Sequence, residues 1–362
     1  MIKKKVCFIA QFPPPIHGLS KAVDTLYNSY LSDEFEFERI NITNNKNFFG
    51  NLYLIWKSNA SLFYFTISQT KAGNIRDLII LFLLKLQRKK CLVHLHGGNY
   101  RKLIDNELKS WQRKINFSII KKLEGVIVLG PSLRSIFQGM INEEKIHLVP
   151  NCVDDEFLMS ENQYKEKIVA LENKEVLDIL YLSNFIKSKG YPEVLEMAKL
   201  EKERVISGEI KRYHFNFAGE FFTDSDLEYF ENYIKNNDLQ SFVTYYGVVS
   251  GQSKKELLEK CDIFVLLTRY PNEGQPISIL EAMGNAMVIV TTDHAGIPDI
   301  VENEINGIVT YNSSVKEVFN KILEMDPHKH CSISKNNREM VKTFFVQSCY
   351  LSNMERIFKS IK

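Results

Sequence analysis

No two cysteines of this chain stand in a C-x-x-C pair. The six, Cys7, Cys91, Cys152, Cys261, Cys331 and Cys349, are scattered. That pattern offers no zinc-ligand spacing and suits small core residues in a reducing cytosol. Long apolar runs are missing too. The longest, LIILFLLKL at 78–86, is nine residues broken by Lys85, against roughly 20 needed to span a bilayer. The start, MIKKKVCFIAQFPPP, has only five apolar residues before Gln11, too few for a signal peptide. The expected location is therefore cytoplasmic, the side where the chain is made. There is no G-x-G-x-x-G after a strand, which argues against a dinucleotide dehydrogenase. Internal repeats, low-complexity segments and the aromatic-basic motif of an RNA module are absent as well, so nucleic acid is not an expected partner.

What is present is an ordinary soluble composition, 44% apolar and 25% charged, over 362 residues, enough for two domains. The net charge of +2 hides an asymmetry. Residues 1–150 hold 22 Lys+Arg against 11 Asp+Glu, or +11; the remainder holds 24 against 33, or −9. A basic half points to a partner, such as a phosphorylated acceptor or anionic lipid, more than to a fold.

Short apolar runs alternate with amphipathic stretches. Strands are expected at 5–12, 61–68, 90–97, 125–130 and 145–151, with helices at 20–31, 75–90 and 131–140. After a polar, acidic joining stretch at 154–167, strands recur at 177–185, 213–221, 242–249, 261–268, 286–292 and 307–310, with a helix at 253–261. Such alternation means β-α-β units and parallel sheets. The expectation is α/β, two Rossmann-like domains facing across a cleft. Their expected bounds are 1–160 and 161–345, with a last helix at 346–362 packing back towards the first. Open parallel sheets bind ligands at the carboxyl ends of their strands.

One such end carries unusual chemistry: RYPNEGQPISILEAMGN, 269–285. A buried strand leads into a loop, and Pro276 is well placed to open a helix. The first turn of that helix presents N–H groups and the positive end of its dipole, suited to a pyrophosphate. Gly274 allows close approach to the backbone. Glu273 sits in the loop and Glu281 inside the helix among apolar neighbours, where a carboxylate needs a partner. Ionised, each is an acceptor suited to hydroxyl groups. A surface acid and a loop acid remain the plainer reading of the same spacing.

The segment EGQPISILEAM resembles the signature of glycosyltransferase family 4, the retaining GT-B glycosyltransferases of group 1. VTYYGVVSGQSKKELLEKCDIFVLLT and AGIPDIVENEINGIV are similar to its flanking stretches, with Asp299 where the family usually has Glu. KIHLVPNCVDDEF and LSNFIKSKGYPEVLEMA are similar to its linker and its Lys-Gly segment, and HLHGG and PPPIHGLS to its N-terminal motifs. The resemblance spans nearly the whole chain and is strongest over 177–310. It implies that Glu281 holds the ribose, that Glu273 contacts the donor sugar, and that backbone amides from Gly274 through Gln275 and Pro276 to Ile277 help hold sugar and pyrophosphate. Lys189 matches the lysine that neutralises the diphosphate. Its arginine partner is replaced by Asn184, a neutral amide in place of a charged fork, and Arg269 is a candidate substitute. His96 matches the histidine that reaches the donor sugar, while His94, on the other face of its strand, reads as core or support. Gly18 matches a glycine beside the donor phosphates, and His17 is a candidate acceptor contact.

The reaction so implied is transfer from a nucleotide-diphosphate sugar, UDP-sugar first and GDP-sugar second, with retention and by front-face attack. The nucleotide-sugar is a substrate, so no cofactor is expected, and Lys189 with the helix start would stabilise the leaving diphosphate without a metal. Domain closure would bring His96 to the donor and exclude water. The acceptor would be a glycan or lipid-diphosphate-linked glycan in surface polysaccharide synthesis, bound by the basic half. Residues 75–90 and 100–114 are candidate contacts for an anionic membrane surface; the plainer reading of 75–90 is a core helix with a solvated basic end. A nucleotide-sugar epimerase on the same architecture is the alternative.

Overall fold

The structure is a computed structural model and describes residues 3–15 and 18–361. By its internal contacts the chain divides into two compact units. The first gathers 1–152, Pro271–Gln275 and Gln347–Lys362; the second gathers Val153–Tyr270 and Pro276–Val346.

The first unit is built on six parallel strands: β1 (Lys4–Ala10), β2 (Phe35–Asn41), β3 (Leu62–Thr66), β4 (Cys91–His94), β5 (Gly125–Val128) and β6 (Ile146–Leu148). Their order is β2-β1-β3-β4-β5-β6. Helices cover both faces, so the inner strands are apolar throughout. In β1 the pleat sends Val6, Phe8 and Ala10 to one core and Cys7 and Ile9 to the other. The first core takes in the C-terminal helix Gln347–Ser360 through Tyr350, Met354 and Phe358. Lys4 donates to the Phe358 carbonyl at 2.8 Å, a cation placed at the negative end of that helix. The second core is covered by the helices Phe48–Lys57, Lys71–Leu86 and Ser110–Ile120.

The second unit repeats the plan with β7 (Leu177–Leu182), β8 (Tyr213–Ala218), β9 (Val243–Tyr245), β10 (Ile263–Leu266), β11 (Val288–Thr292) and β12 (Gly307–Thr310). Their order is β12-β11-β10-β7-β8-β9, again all parallel.

Three elements differ from the sequence reading. Strand β2, FEFERIN, is passed over because charges interrupt its apolar residues. It is the sheet edge, where Lys5 of β1 meets Glu36 at 3.2 Å and Glu38 at 3.5 Å, and such charges discourage further strand pairing. The expected helix at 131–140 is a 3-10 turn over Pro131–Phe137, ended by Gly139 at φ +75°. The expected joining stretch contains the helix Glu161–Leu171. Ser160 and Gln163 cap it reciprocally, at 2.9 and 3.3 Å.

Candidate functional site

In the first unit, β4 runs out at His94 and the chain turns through His96, Gly97 and Gly98. The segment Pro271–Gln275 lies against this turn. The Gly98 N–H donates to the Glu273 carbonyl at 2.6 Å. A Cβ on Gly274 would stand 2.4 Å from the His96 carbonyl oxygen, and one on Gly97 would stand 2.7 Å from the Asn272 carbonyl oxygen. The close approach that Gly274 permits is thus to the backbone of the His96 turn. The expectation was room for a ligand at Gly274; the neighbour the structure shows at that distance is protein backbone. His96 and Glu273, distant in sequence, are brought side by side, and Glu273 is buried.

Gln275 is also buried. Its Oε1 accepts from the Asn151 N–H at 2.8 Å, and its carbonyl accepts from Asn151 Nδ2 at 2.8 Å. Its Nε2 donates to the Leu129 carbonyl at 3.4 Å. The amide side chain therefore serves to hold this segment. Gly18 opens the helix Gly18–Tyr27 beyond the carboxyl end of β1; His17 lies outside the described residues. His94 points into the core. Its ring lies beside that of His96, with centroids 3.9 Å apart and planes tilted by 31°, so the two share a face, as residues two apart along a strand do, and not opposite faces as expected; Tyr64 Oη lies 2.7 Å from its Nδ1. Burial, reinforced by His96, pushes its pKa well below the ordinary value, so the ring is neutral.

In the second unit, the loop after β10 leads to Pro276, which caps the helix Ile277–Gly284 and stands one position before its expected place inside it. Ile277 is the first helical residue and is half-buried. Glu281 is 4% exposed, and Lys254, from the helix Gly251–Lys260, reaches its Oε1 at 2.6 Å. The same ammonium lies 4.3 Å from the centre of the Phe157 ring. Lys254 was missed by the sequence reading: it sits on another helix, and no local spacing ties it to Glu281.

Lys189 ends a 3-10 turn whose next residue, Gly190, has φ +90°. A Cβ there would come 2.8 Å from the Leu267 carbonyl oxygen, and the Arg269 N–H donates to the Ser188 carbonyl at 2.6 Å. These contacts pin the turn to the end of β10. Lys189 Nζ stands 5.2 Å from the centre of the Tyr270 ring, a cation–π arrangement. Asn184 is exposed, and its carbonyl accepts from Tyr181 Oη at 3.0 Å. Arg269 is exposed and donates to the Tyr311 carbonyl. With Lys187, Ser188, Glu193 and Thr292 it lines a cleft of about 140 Å³. The chain holds an Asp-x-Asp, Asp224-Ser225-Asp226. It opens the helix Asp224–Asn236: the Asp226 N–H donates to Thr223 Oγ1 at 3.2 Å, and its carboxylate accepts from Thr223 at 2.6 Å and Tyr191 at 2.9 Å.

Two parallel-sheet units with an acidic, glycine-marked loop at the end of β10 are an architecture shared by many activities, and comparison with known proteins gives the class. Residues 162–340 match the family model "Glycosyl transferases group 1", and over this region the chain belongs to that family. It is 22% identical to an uncharacterised glycosyltransferase of Methanocaldococcus jannaschii over 82% of this chain and 76% of that one. It is 30% identical to the N,N'-diacetylbacillosaminyl-diphospho-undecaprenol alpha-1,3-N-acetylgalactosaminyltransferase of Campylobacter jejuni over 29% of each. The fold is the GT-B fold. Anabaena HepE, solved with UDP-glucose, superposes with a TM-score of 0.73 at 16% identity, over 99% of this chain and 100% of that one.

Proposed function

We propose that this glycosyltransferase moves a sugar from a UDP-sugar onto a hydroxyl of a glycan or lipid-linked glycan, with retention and without a metal ion. The observation that carries the reading is Glu281: a buried carboxylate, fixed by Lys254, in the helix that opens at the carboxyl end of β10. Such a group pairs naturally with the two hydroxyls of a ribose. UDP is the nucleotide of choice because HepE has been solved with UDP-glucose. A lipid-diphosphate acceptor is favoured because the Campylobacter relative is named for one and the first 150 residues carry +11.

In this reaction the acceptor hydroxyl attacks the anomeric carbon from the side on which the diphosphate leaves. The new C–O bond forms as the bond to phosphate breaks, and the hydroxyl proton passes to the departing phosphate oxygen. Positive charge develops on the sugar ring and negative charge on the diphosphate. Lys189 and the N-terminal amides of the helix Ile277–Gly284 offset the latter. Glu273 and His96 are assigned to hydroxyls of the donor sugar, and Gly18 and His17 to the phosphate and acceptor.

Thermal shift with UDP, GDP and ADP tests the donor site, since a ligand of the folded state raises the melting point. UDP is expected to give the largest rise; no rise with any of the three would remove the reading. Product formed from a UDP-sugar and a prenyl-diphosphate glycan in the presence of EDTA, with its anomeric configuration read by NMR, tests the rest. An inverted product refutes retention, and loss of turnover in EDTA refutes metal independence.

A further inference from the structure

The helix Lys71–Leu86 is apolar on both sides. Its inner side, with Leu78, Leu81 and Leu84, is buried in the core of the first unit. Its outer side exposes Ile75, Ile79, Phe82 and Leu86, at 49, 42, 58 and 63%. Their spacing of four, three and four residues forms one stripe along the helix. The neighbouring helix Phe48–Lys57 does the same: it buries Asn51 and Ile55 but exposes Phe49, Tyr53 and Trp56 at 83, 56 and 54%. The two helices are tied at their carboxyl ends, where Gln87 Nε2 donates to the Trp56 carbonyl at 2.9 Å and Lys89 Nζ to the Ser58 carbonyl at 3.0 Å. The two neighbouring helices thus both turn aromatic and aliphatic side chains outward, and exposed apolar surface of this extent marks an interaction site.

Charge says what covers it. Residues 42–90 hold eight basic residues, Lys46, Lys57, Lys71, Arg76, Lys85, Arg88, Lys89 and Lys90, against one acid, Asp77. That acid is 1% exposed and paired with Arg76 at 2.8 Å, so it does not face outward. Aromatic rings beside lysine and arginine, around an aliphatic stripe, are the composition of a surface that lies in the headgroup region of a bilayer. The other basic stretch, 100–114, is different: Arg101 and Arg113 both bond Asp105, at 2.5 and 2.8 Å, so much of its charge is met within the protein. Among the described residues no helix is long and apolar enough to cross a membrane.

We propose that the outer face of the helices Phe48–Lys57 and Lys71–Leu86 is the surface on which this protein lies against an anionic phospholipid bilayer. The inference stands on this face and is independent of the transfer reaction, so its failure leaves the donor reading intact.

The protein carries its own probe. It has two tryptophans, Trp56 and Trp111, each 54% exposed and both on the helices that cover this side of the sheet. With vesicles of phosphatidylglycerol and phosphatidylcholine at low salt, we expect co-sedimentation and a blue shift of tryptophan emission. Pure phosphatidylcholine should bind at least about tenfold more weakly. Each basic residue near the surface accounts for roughly a fivefold change in binding, so Lys57→Glu/Lys85→Glu/Arg88→Glu should lower binding by more than about tenfold. Phe49→Ser/Phe82→Ser, with unchanged circular dichroism, should abolish the blue shift. The proposal is overturned by equal binding to neutral and anionic vesicles, by absence of binding to both, or by variants that bind as the parent does. Sedimentation velocity showing a dimer that Phe49→Ser/Phe82→Ser converts to monomer would also overturn it, since a second copy would then cover the face.

Discussion

Lys254 and Glu281, on two different helices of the second unit, form a pair at 2.6 Å with side chains 20% and 6% exposed. Removing the ammonium leaves a carboxylate with little water around it. Lys254→Met, which keeps the stem over Phe157, should cost on the order of 3 kcal/mol and lower the melting temperature by several degrees. Lys254→Met/Glu281→Gln should regain much of that loss, because no buried charge is then left over. It should not regain nucleotide affinity, if Glu281 holds the ribose. Restored UDP binding by calorimetry in the double variant would disprove the ribose role.

Lys189→Ala should lower kcat/KM by about 2–4 kcal/mol of transition-state stabilisation, the usual scale for one group aimed at developing charge. Lys189→Arg should recover part of the loss. A turnover equal to wild type with a verified donor would remove Lys189 from the reaction.

Gly274→Ala drives a methyl group to 2.4 Å from the His96 carbonyl oxygen, a backbone atom that cannot swing aside. The loop must shift, at a cost of about 1–3 kcal/mol. Gly50→Ala is the control: it lies in the helix Phe48–Lys57 with nothing within 4 Å of the new methyl group, and should stabilise by up to about 1 kcal/mol. Melting curves decide; equal shifts in the two variants would contradict the close approach.

His330 is buried, and burial lowers its pKa to about 4 from 6.5. Above pH 6.5 the ring is neutral whether the chain is folded or not, so it contributes no pH dependence. Between 6.5 and 4 the unfolded chain binds a proton that the folded one refuses, and stability falls as pH falls. The difference is about 3 kcal/mol across that window. His94, shifted in the same direction by burial, adds to the slope. His330→Asn should flatten the dependence of melting temperature on pH between 4 and 6.5; a profile parallel to the parent would show that this ring does not carry it.

The two sheets were legible in the sequence because strands buried on both faces are apolar without interruption, as in LFYFT of β3 and VIVTT of β11. The edge strand β2 was not, because a strand that ends a sheet carries the charges that keep other strands away. The acids and glycine of 273–281 were legible as chemistry, because residue type and the coming helix start are local facts. Their neighbours were not. That Gly274 faces the backbone of the His96 turn, that Lys254 reaches Glu281, and that the outer side of Lys71–Leu86 stays uncovered are matters of tertiary structure alone. Local sequence sets periodicity and turn chemistry within a few residues. Which groups meet across distant parts of the chain, and which apolar stripe is left without a partner, follows only once the sheets and their helices have packed.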